Sequence, residues 1–395
     1  MKKLMILGAG IYQVQLIRTA KEMGLYTIVV SIPGHYPGFE LADKVYYENT
    51  VDYEKILEIA REEKIDGILT AGTDVAVITI GRVCDELHLT GLSFEAAHAA
   101  SNKLLMKEKY EAAGVRTARF RKISVKEQQL SEKLSELRFP LIFKAVDTSG
   151  SRGIMRVDSC EEFETARANV IKYTKLDYYI VEEFIEGEEF GAQAFIRDGK
   201  IQFILPHGDY VFHGDTGVPV GHFAPYDLKE DVIEDTKKQL TSAALAMGLD
   251  NCAINADFIL SDDKVYVLEL GGRSGATCLA ELVSIYYGYN YYEKMILTAL
   301  GQEVSFESNQ SVPNASKLLM SDRTGTILSI KNNNGPDDRI CEIQFDYSVG
   351  EDVNAFRVGP DRIGHIITKG STLLEAVEVL DSAMDKITIE VGQKG

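Results

Sequence analysis

The chain has 395 residues, a length that predicts two or three domains rather than one core. Its formal net charge of −18 argues against a nucleic-acid partner or an anionic membrane surface, so any bound anion needs a local cluster of Lys, Arg and backbone N–H groups. No apolar run approaches the roughly 20 residues that span a bilayer, and the five scattered cysteines include no CxxC pair, which favours a cytoplasmic protein with reduced thiols over a zinc or disulfide framework.

Residues 1–100 alternate short apolar runs with helical segments. Strands are expected at Lys3–Leu7, Thr27–Ser31 and Gly67–Thr70, and helices at Tyr12–Met23, Asp52–Glu63 and Asp74–Leu87. Strands that alternate with helices at this spacing predict a parallel sheet covered on both faces, in a doubly wound α/β domain.

The turn Gly8-Ala9-Gly10 after the first strand invites a dinucleotide-binding interpretation. A GxGxxG pattern would need glycine at position 13, where Gln13 stands, and the second strand runs into Ser31-Ile32-Pro33 rather than an acidic residue for a ribose. The favoured interpretation is a sharp strand-to-helix turn that lines part of a cleft. An NAD-dependent enzyme stays open as an alternative that rests on these glycines alone.

Two lysines stand where a cation is costly without an anion nearby. Lys103 precedes helix Leu104–Ala113, where its charge opposes the helix dipole, and Lys144 ends the apolar strand Leu141–Lys144. The small-residue loop Thr148–Ile154 follows, with N–H groups that could fold over phosphates, although no Walker motif occurs in the chain. A phosphate contact explains both lysines, whereas an ordinary surface lysine is the plain alternative for Lys103.

An acidic segment comes next in the chain. Five carboxylates fall within residues 182–189, a density that usually marks a solvated edge. They lie at the end of the expected strand Tyr178–Val181, where one could accept a hydrogen bond from an adenine amine and another from ribose hydroxyls. Further strands are expected at Phe190–Ile196 and Lys200–Leu205, and a helix at Asp231–Met247.

The segment Asn255–Thr277 has the pattern of a hairpin followed by a glycine-rich corner. A three-residue loop, Asp262–Lys264, would pair Asp257 with Glu269 on one face, whereas a two-residue loop would place them on opposite faces. Two convergent carboxylates are the oxygen ligands that Mg²⁺ prefers when it also binds phosphates, and Arg273 adds a positive charge beside them. A solvent-exposed acidic hairpin is the alternative.

The remaining residues predict a helix and then a smaller unit. The helix is expected at Ala280–Tyr287, and residues from about 305 have the pattern of an α+β unit. Its expected segments are Ala315–Met320, Thr326–Ile330, Ala355–Ile367, helix Leu373–Lys386 and strand Ile387–Val391.

The order of these features along the chain resembles that of ATP-grasp enzymes. The matching features are, in order, Lys103, Lys144, the small-residue loop, the acidic segment, Asp257, Glu269 and Arg273. The resemblance implies an α/β and α+β architecture of three domains. These are an N-terminal doubly wound parallel-sheet domain (1–100), a central two-lobed ATP-binding domain (101–304, with a mobile lobe at about 115–188) and a small C-terminal α+β domain (305–395).

The resemblance also implies the nucleotide contacts. The ATP-binding set would be Lys103, Lys144, Ser149, Gly150, Ser151, Gly153, Glu182, Glu183, Phe184, Ile185 and Glu189. Within it the two lysines match phosphate-binding lysines, and residues 149–153 match the loop that closes over the triphosphate. Glu182 matches the residue that faces the adenine amine, and Glu189 matches the ribose-binding glutamate.

The metal site and the catalytic arginine follow from the same resemblance. Asp257 and Glu269 match the ligands of Mg²⁺, for which Mn²⁺ is an alternative, and Arg273 matches the arginine near the reacting carboxylate. Lys144 is the second residue expected to act in catalysis. The family usually has Asn two residues after the metal-binding Glu, where this chain has Gly271. Asn255 would point into the same site and is a substitute ligand, with a strand-edge asparagine as the plain alternative.

The implied activity is that of an ATP-dependent, ADP-forming carboxylate–amine ligase. The γ-phosphoryl group of ATP passes to a carboxylate, and a small-molecule amine attacks the resulting acyl phosphate. Branches with a similar start and C-terminal domain include purine-pathway ligases, biotin-carboxylase-like enzymes and L-amino-acid ligases, and homodimers are common on this scaffold. Candidate substrate contacts are Tyr12, Gln13, His35, Asp74, His213, Asp215 and His222.

Two other functions stay open. One is a bicarbonate-activating enzyme similar to carbamoyl phosphate synthase, which would make a carboxy phosphate. The other is a non-catalytic ATP-binding sensor on the same scaffold, which Gly271 favours and the intact lysines and carboxylates oppose.

Overall fold

A computed structural model describes residues 1–148, 152–212 and 217–393 of the chain. Its helices are α1 (Val14–Glu22), α2 (Gly38–Leu41), α3 (Tyr53–Glu63), α4 (Val77–Leu87), α5 (Phe94–Ala100), α6 (Lys103–Ala112), α7 (Leu130–Lys133), α8 (Phe163–Tyr173), α9 (Glu230–Met247), α10 (Leu279–Tyr287), α11 (Tyr291–Ala299) and α12 (Leu373–Asp385). In the described residues, none of these helices combines the length and the apolar character that a bilayer span requires.

Within the described residues, the strands form four sheets. They are β1 (Lys3–Leu7), β2 (Tyr26–Ser31), β3 (Lys44–Tyr47), β4 (Gly67–Leu69), β5 (Phe120–Ser124), β6 (Leu141–Lys144), β7 (Ile154–Val157), β8 (Tyr178–Glu183), β9 (Glu188–Arg197), β10 (Lys200–Val211), β11 (Pro219–Ala224), β12 (Cys252–Ser261), β13 (Lys264–Gly271), β14 (Asn314–Leu319), β15 (Gly325–Asn332), β16 (Ile340–Phe345), β17 (Asp352–Val353), β18 (Gly364–Lys369) and β19 (Ile387–Gly392).

The N-terminal sheet is parallel, as the alternating pattern predicted. Its order is β3-β2-β1-β4, and β3 is an edge strand that the sequence pattern did not indicate. Helix α3 begins after Asp52, whose carboxylate accepts a hydrogen bond from the Lys55 N–H. Helix α4 begins at Val77, three residues later than expected, so Asp74 lies in the preceding turn and not in the helix.

An eight-stranded sheet, in the order β13-β12-β9-β10-β11-β14-β18-β16, forms the centre of the molecule. Because side chains alternate along each strand, one face of β9 presents Phe190 and Ala192 to a core shared with α9. The opposite face presents Phe195 to a second core shared with α10 and α11, but only over part of its length. The uncovered part of that face, defined here as the site floor, lies on β13, β12, β9, β10 and β11.

A smaller antiparallel sheet, β5-β8-β6-β7, packs on α8 around Phe143 and Val181. The C-terminal residues are divided between two sheets. Strands β14, β18 and β16 continue the central sheet, and β17, β15 and β19 form a separate three-stranded sheet. The expected segment Ala355–Ile367 is wrong as a single element, because a loop with a 3-10 turn at Gly359–Asp361 precedes β18.

The hairpin β12–β13 differs from its expected form in an informative way. Its loop has two residues, Asp262 and Asp263, both in the left-handed region at φ 49° and 54°, as tight hairpin turns require. The expected three-residue loop is therefore wrong. However, a β-bulge between Phe258 and Asp257 shifts the register by one residue, and Asp257 pairs with Glu269 after all.

Candidate active site

A row of in-register residues crosses the site floor. Glu269 pairs with Asp257, Asp257 with Gly191, and Gly191 with His207, on four adjacent strands. Paired residues of antiparallel strands share one face, so the two carboxylates and the imidazole stand on the same side of the sheet. Glu189 lies two residues before Gly191 on β9, opposite Ile259, and therefore faces the same side.

Lys103 reaches the carboxylate row from the first turn of α6. Its ammonium group donates to Glu269 at 3.1 Å and to the carbonyl of Thr148 at 2.9 Å. Its backbone N–H donates to Val146, so the same residue also holds the segment after β6. Lys103 thus lies between the two sheets with its charge directed at a carboxylate of the floor.

Glu182 is buried between two lysines of the small lobe. Its carboxylate pairs with Lys107 at 2.6 Å and with Lys144, and only 2% of its side chain is exposed. Burial alone would raise the pKa of Glu182, but the two ammonium groups outweigh it and lower that pKa to about 2. Lys144 therefore has an anion partner, as the sequence required, and that partner in this structure is Glu182.

Asp257 is surrounded by protein atoms yet open to solvent from the cleft. Its burial, together with the charges of Glu269 and Asp209, raises its pKa to about 7. Carboxylates that are forced together in this way gain a compensating charge from a divalent cation, and their hard oxygen atoms suit Mg²⁺. The residues present therefore fit a magnesium site held by Asp257 and Glu269.

Arg273 is fixed by a residue of the N-terminal domain. Its Nε and Nη2 atoms donate to the two carboxylate oxygens of Asp74 at 2.7 Å and 2.9 Å, and Nη1 donates to the carbonyl of Ser274 at 3.2 Å. This bidentate geometry holds the guanidinium plane in one orientation beside the floor. Asp74, expected as a substrate contact, is a partner of the arginine in this structure.

The residues after Glu182 have separate partners. Glu183 accepts hydrogen bonds from Arg119 and from the backbone N–H of Arg138. The Phe184 N–H donates to Pro140, and the Arg156 guanidinium lies over the Phe184 ring. Ile185 is partly buried in the segment that joins β8 to β9. This segment connects the small sheet to the central one.

Part of the predicted covering loop can be located. Gly153 has φ +69°, and its carbonyl accepts from the Ala145 N–H, so it closes the turn between β6 and β7. Ser149, Gly150 and Ser151 of that loop lie outside the described residues, as do the substrate candidates His213 and Asp215.

Gly271 and Asn255 face each other across the hairpin. They pair in register, each two residues along its strand from the pair Asp257 and Glu269. The side-chain oxygen of Asn255, Oδ1, accepts from Gln193 Nε2 at 2.6 Å, and Gln193 Oε1 in turn accepts from the Gly275 N–H. Asn255 is therefore on the floor, with its side-chain oxygen engaged by a buried glutamine.

The other substrate candidates are dispersed. Tyr12 lies near the Arg362 guanidinium, beside a polar pocket lined by residues of the loop after Arg273 and of β18. Gln13 turns inward, accepting from Gly10 and donating to Ala71, which makes it a structural residue of the turn. His35 is exposed in the loop after β2. His222 is buried on the site floor beside Asp209.

Four residues of the site were not found from the sequence: Lys107, Gln193, His207 and Asp209. Lys107 carried a detectable signal, because it falls on the buried stripe of α6 between Leu104 and Tyr110 at helical spacing. Gln193 and His207 are buried polar residues within strands. Gln193 bonds to Asn255 on β12 and to the Gly275 N–H, whereas His207 contacts Asp209 two residues further along β10.

Two parts of the chain match models of known protein families. A model of the ATP-grasp domain matches residues 137–281, and a model of the L-amino acid ligase C-terminal domain 2 matches residues 317–392. The crystal structure of phosphoribosylglycinamide synthetase from Anaerococcus prevotii is 37% identical, with a TM-score of 0.88 over 99% of this chain and 100% of that one.

More distant relatives share the fold. The L-amino acid ligase from Bacillus licheniformis has 20% identity and a TM-score of 0.80, over 100% of this chain and 99% of that one. The large chain of carbamoyl phosphate synthase from Neisseria meningitidis is 24% identical over 296 residues, which are 70% of this chain. The chain spans only 27% of that relative's length.

Proposed function

The chain belongs to the ATP-grasp superfamily, and from this premise we propose that it is an ADP-forming ligase that joins a small-molecule carboxylate to an amine. One observation carries the proposal: Lys103, Asp257, Glu269 and Arg273, from three separate segments, converge on one open sheet face. Cations for phosphates, carboxylates for a metal and an arginine for a substrate are the parts that phosphoryl transfer to a carboxylate requires.

The chemistry assigns a task to each group. Lys103 and Lys144 would neutralise phosphate charge, and Glu182 would hold Lys144 in position from its buried side. Asp257 and Glu269 would hold Mg²⁺, which when bound would supply positive charge to neutralise the phosphates. Arg273 would bind the carboxylate that accepts the phosphoryl group and then stabilise the charge on its oxygen during attack by the amine.

The matches to known proteins support an amine as the second substrate. The C-terminal match is to a domain of L-amino acid ligases, which supports an amino acid as one of the two substrates. The neighbour with 37% identity carries the name of a phosphoribosylglycinamide synthetase, which supports a joining reaction of the same class. A homodimer, magnesium dependence and a cytoplasmic location are part of the proposal.

Release of ADP tests the proposal. ATP and Mg²⁺ would be supplied with a panel of carboxylates, bicarbonate included, crossed with a panel of amines. We expect ADP only when one acid and one amine are both present, and no ADP from Glu269→Gln, whereas the exposed Glu303→Gln should match the parent.

Two results would contradict the proposal. Turnover with bicarbonate alone would place the protein among carboxy-phosphate-forming enzymes. Binding of ATP with no turnover across the panel would favour a sensor.

A further inference from the structure

Asp209 extends the site floor beyond the proposed metal ligands. It lies on β10 and pairs with His222 on β11, and His207, two residues before it, pairs with Gly191 next to Asp257. Neighbouring strands are about 4.8 Å apart, so Asp209 stands on a strand about 10 Å from that of Asp257. A substrate group there would lie beside a phosphoryl group held over Asp257, on the side away from Lys103.

Two buried imidazoles on the same face of the sheet hold this carboxylate. The Nδ1 atoms of His207 and His222 lie 3.0 Å and 2.6 Å from the same oxygen, Oδ1 of Asp209. Only 3% of each histidine side chain is exposed, against 30% of Asp209. Gly191 makes room for the arrangement, because a Cβ there would lie 2.2 Å from the His207 ring. The carboxylate is thus fixed, and its accessible part faces the cleft.

The two distances favour hydrogen bonds over a shared metal ion. The three ligand atoms do lie within 4.8 Å of one another, as a metal site would require. Ligands bound tetrahedrally to one zinc ion at 2.0–2.2 Å would, however, be about 3.4 Å apart, further than the observed contacts. Distances of 2.6 Å and 3.0 Å are those of N–H groups that donate to a carboxylate.

The charge of Asp209 has no cationic partner among the described Lys and Arg side chains. Among the described residues, the groups within ion-pair distance of Asp209 are His207 and His222. Burial would raise the pKa of Asp209, but the neighbouring His222 and His207 lower it well below its usual range, so the group stays ionised. When both imidazoles donate from Nδ1 as neutral rings, the fixed and accessible carboxylate keeps a net negative charge, so it binds a cation with several N–H donors and repels bicarbonate or a second carboxylate.

We propose that Asp209, held by His207 and His222, binds the ammonium group of the amine substrate. This inference rests on the proposed ligase function and adds the position and charge of its second substrate. It selects primary ammonium compounds over uncharged or anionic acceptors.

A binding experiment tests the site without turnover. The full chain, with ADP and Mg²⁺ bound, would be titrated with ethylammonium chloride, and with ethanol as an uncharged control, while the histidine ring resonances are followed by NMR. We expect saturable shifts at His207 and His222 with ethylammonium only, and their loss in Asp209→Asn, which keeps an oxygen acceptor for both imidazoles.

The matched control is Asp198→Asn, at the opposite end of the β9–β10 hairpin. It removes the same charge from an exposed turn position at φ 50°, where Asn is well tolerated, and should titrate like the parent. Equal responses of Asp209→Asn and the parent would overturn the proposal. So would stoichiometric Zn²⁺ binding lost in both His207→Gln and Asp209→Asn, which would make the cluster a metal site.

A kinetic experiment separates failure of this inference from failure of the proposed function. Hydroxylamine, uncharged at neutral pH, would trap an acyl phosphate as a hydroxamate without an ammonium site. Absence of hydroxamate from the parent would contradict the ligase function, while the NMR titration still decides the role of Asp209. If hydroxamate forms, Asp209→Asn should lower the ratio of amide to hydroxamate by about 10- to 100-fold, and an unchanged ratio would overturn the inference.

Discussion

Asp74 and Arg273, 199 positions apart, are joined by two parallel hydrogen bonds of 2.7 Å and 2.9 Å. The pair connects the N-terminal domain to the corner after β13. Burial would raise the pKa of Asp74, but the Arg273 guanidinium lowers it, so the carboxylate stays charged and orients the arginine. The N-terminal domain thereby contributes to the geometry of the site, because its Asp74 orients Arg273.

Replacing Asp74 by Asn should disturb that orientation. The arginine would keep its charge but lose one bidentate partner, and a misplaced guanidinium stabilises the reacting carboxylate less well. We expect kcat for ADP release to fall by about 10- to 100-fold, with the KM for ATP little changed. Glu86→Gln is the matched control, because it removes a surface ion pair with Arg61 in the same domain. Equal kcat values for both variants would contradict this role of Asp74.

Glu182→Gln should destabilise the fold itself. The substitution leaves the buried ammonium group of Lys107 and the partly buried one of Lys144 without their anion, a change that costs about 3–5 kcal/mol in comparable pairs. Urea unfolding measures the difference in the free energy of unfolding. Glu183→Gln, which alters the next residue and its exposed partner Arg119, should cost less than about 1 kcal/mol.

The ion pairs of Glu182 also predict how the free energy of unfolding depends on pH. The pKa of Glu182 is lowered from 4.5 to about 2 in the folded state, so between these pH values the unfolded chain binds more protons and stability rises with pH. The stability difference between the parent and Glu182→Gln should therefore be full above about pH 4.5 and shrink as the pH falls toward 2. Unfolding curves at several pH values measure it, and a constant difference would contradict the buried charge pair.

The sequence predicted the strand pairing of the site better than the partners of its charged side chains. Asp257 and Glu269 were paired correctly, but through the wrong loop, because the bulge beside Phe258 carries no glycine or other mark in the sequence. Lys144 was expected to meet an anion, yet the partner in this structure is Glu182, from a neighbouring strand. Such cross-strand partners follow from strand order, which local periodicity does not determine. The pairing of Asp209 with His222 escaped prediction for the same reason, whereas His207 contacts Asp209 within β10, where residues two apart share one face.

Lys144→Met should weaken ATP binding. The substitution removes one proposed phosphate contact, although Lys107 still pairs with Glu182. We expect the Kd for ATP, measured by calorimetry, to rise by about 10- to 100-fold. Lys175→Met, at an exposed position on the same lobe, should leave the Kd unchanged. Equal Kd values for the two variants would reject a phosphate role for Lys144.

Gly271→Asn should add a metal ligand to the site. Position 271 lies two residues after Glu269 on the same face of β13, and ATP-grasp enzymes usually have Asn there. A Cβ at this position would lie 3.4 Å from Asp74 Oδ1 and 3.7 Å from Arg273, which are ordinary contacts, so the backbone accepts a side chain. An amide oxygen there suits a hard divalent cation.

The expected result is tighter binding of a second divalent ion in the presence of ADP, measured by titration with Mn²⁺ and electron paramagnetic resonance. Gly335→Asn is the matched control, because a Cβ there meets nothing within 4 Å. An unchanged Mn²⁺ stoichiometry and affinity in Gly271→Asn would show that the second ion's position does not depend on this residue. The same titration on Asn255→Ala would then test the other candidate, whose oxygen must leave Gln193 before it can bind a metal.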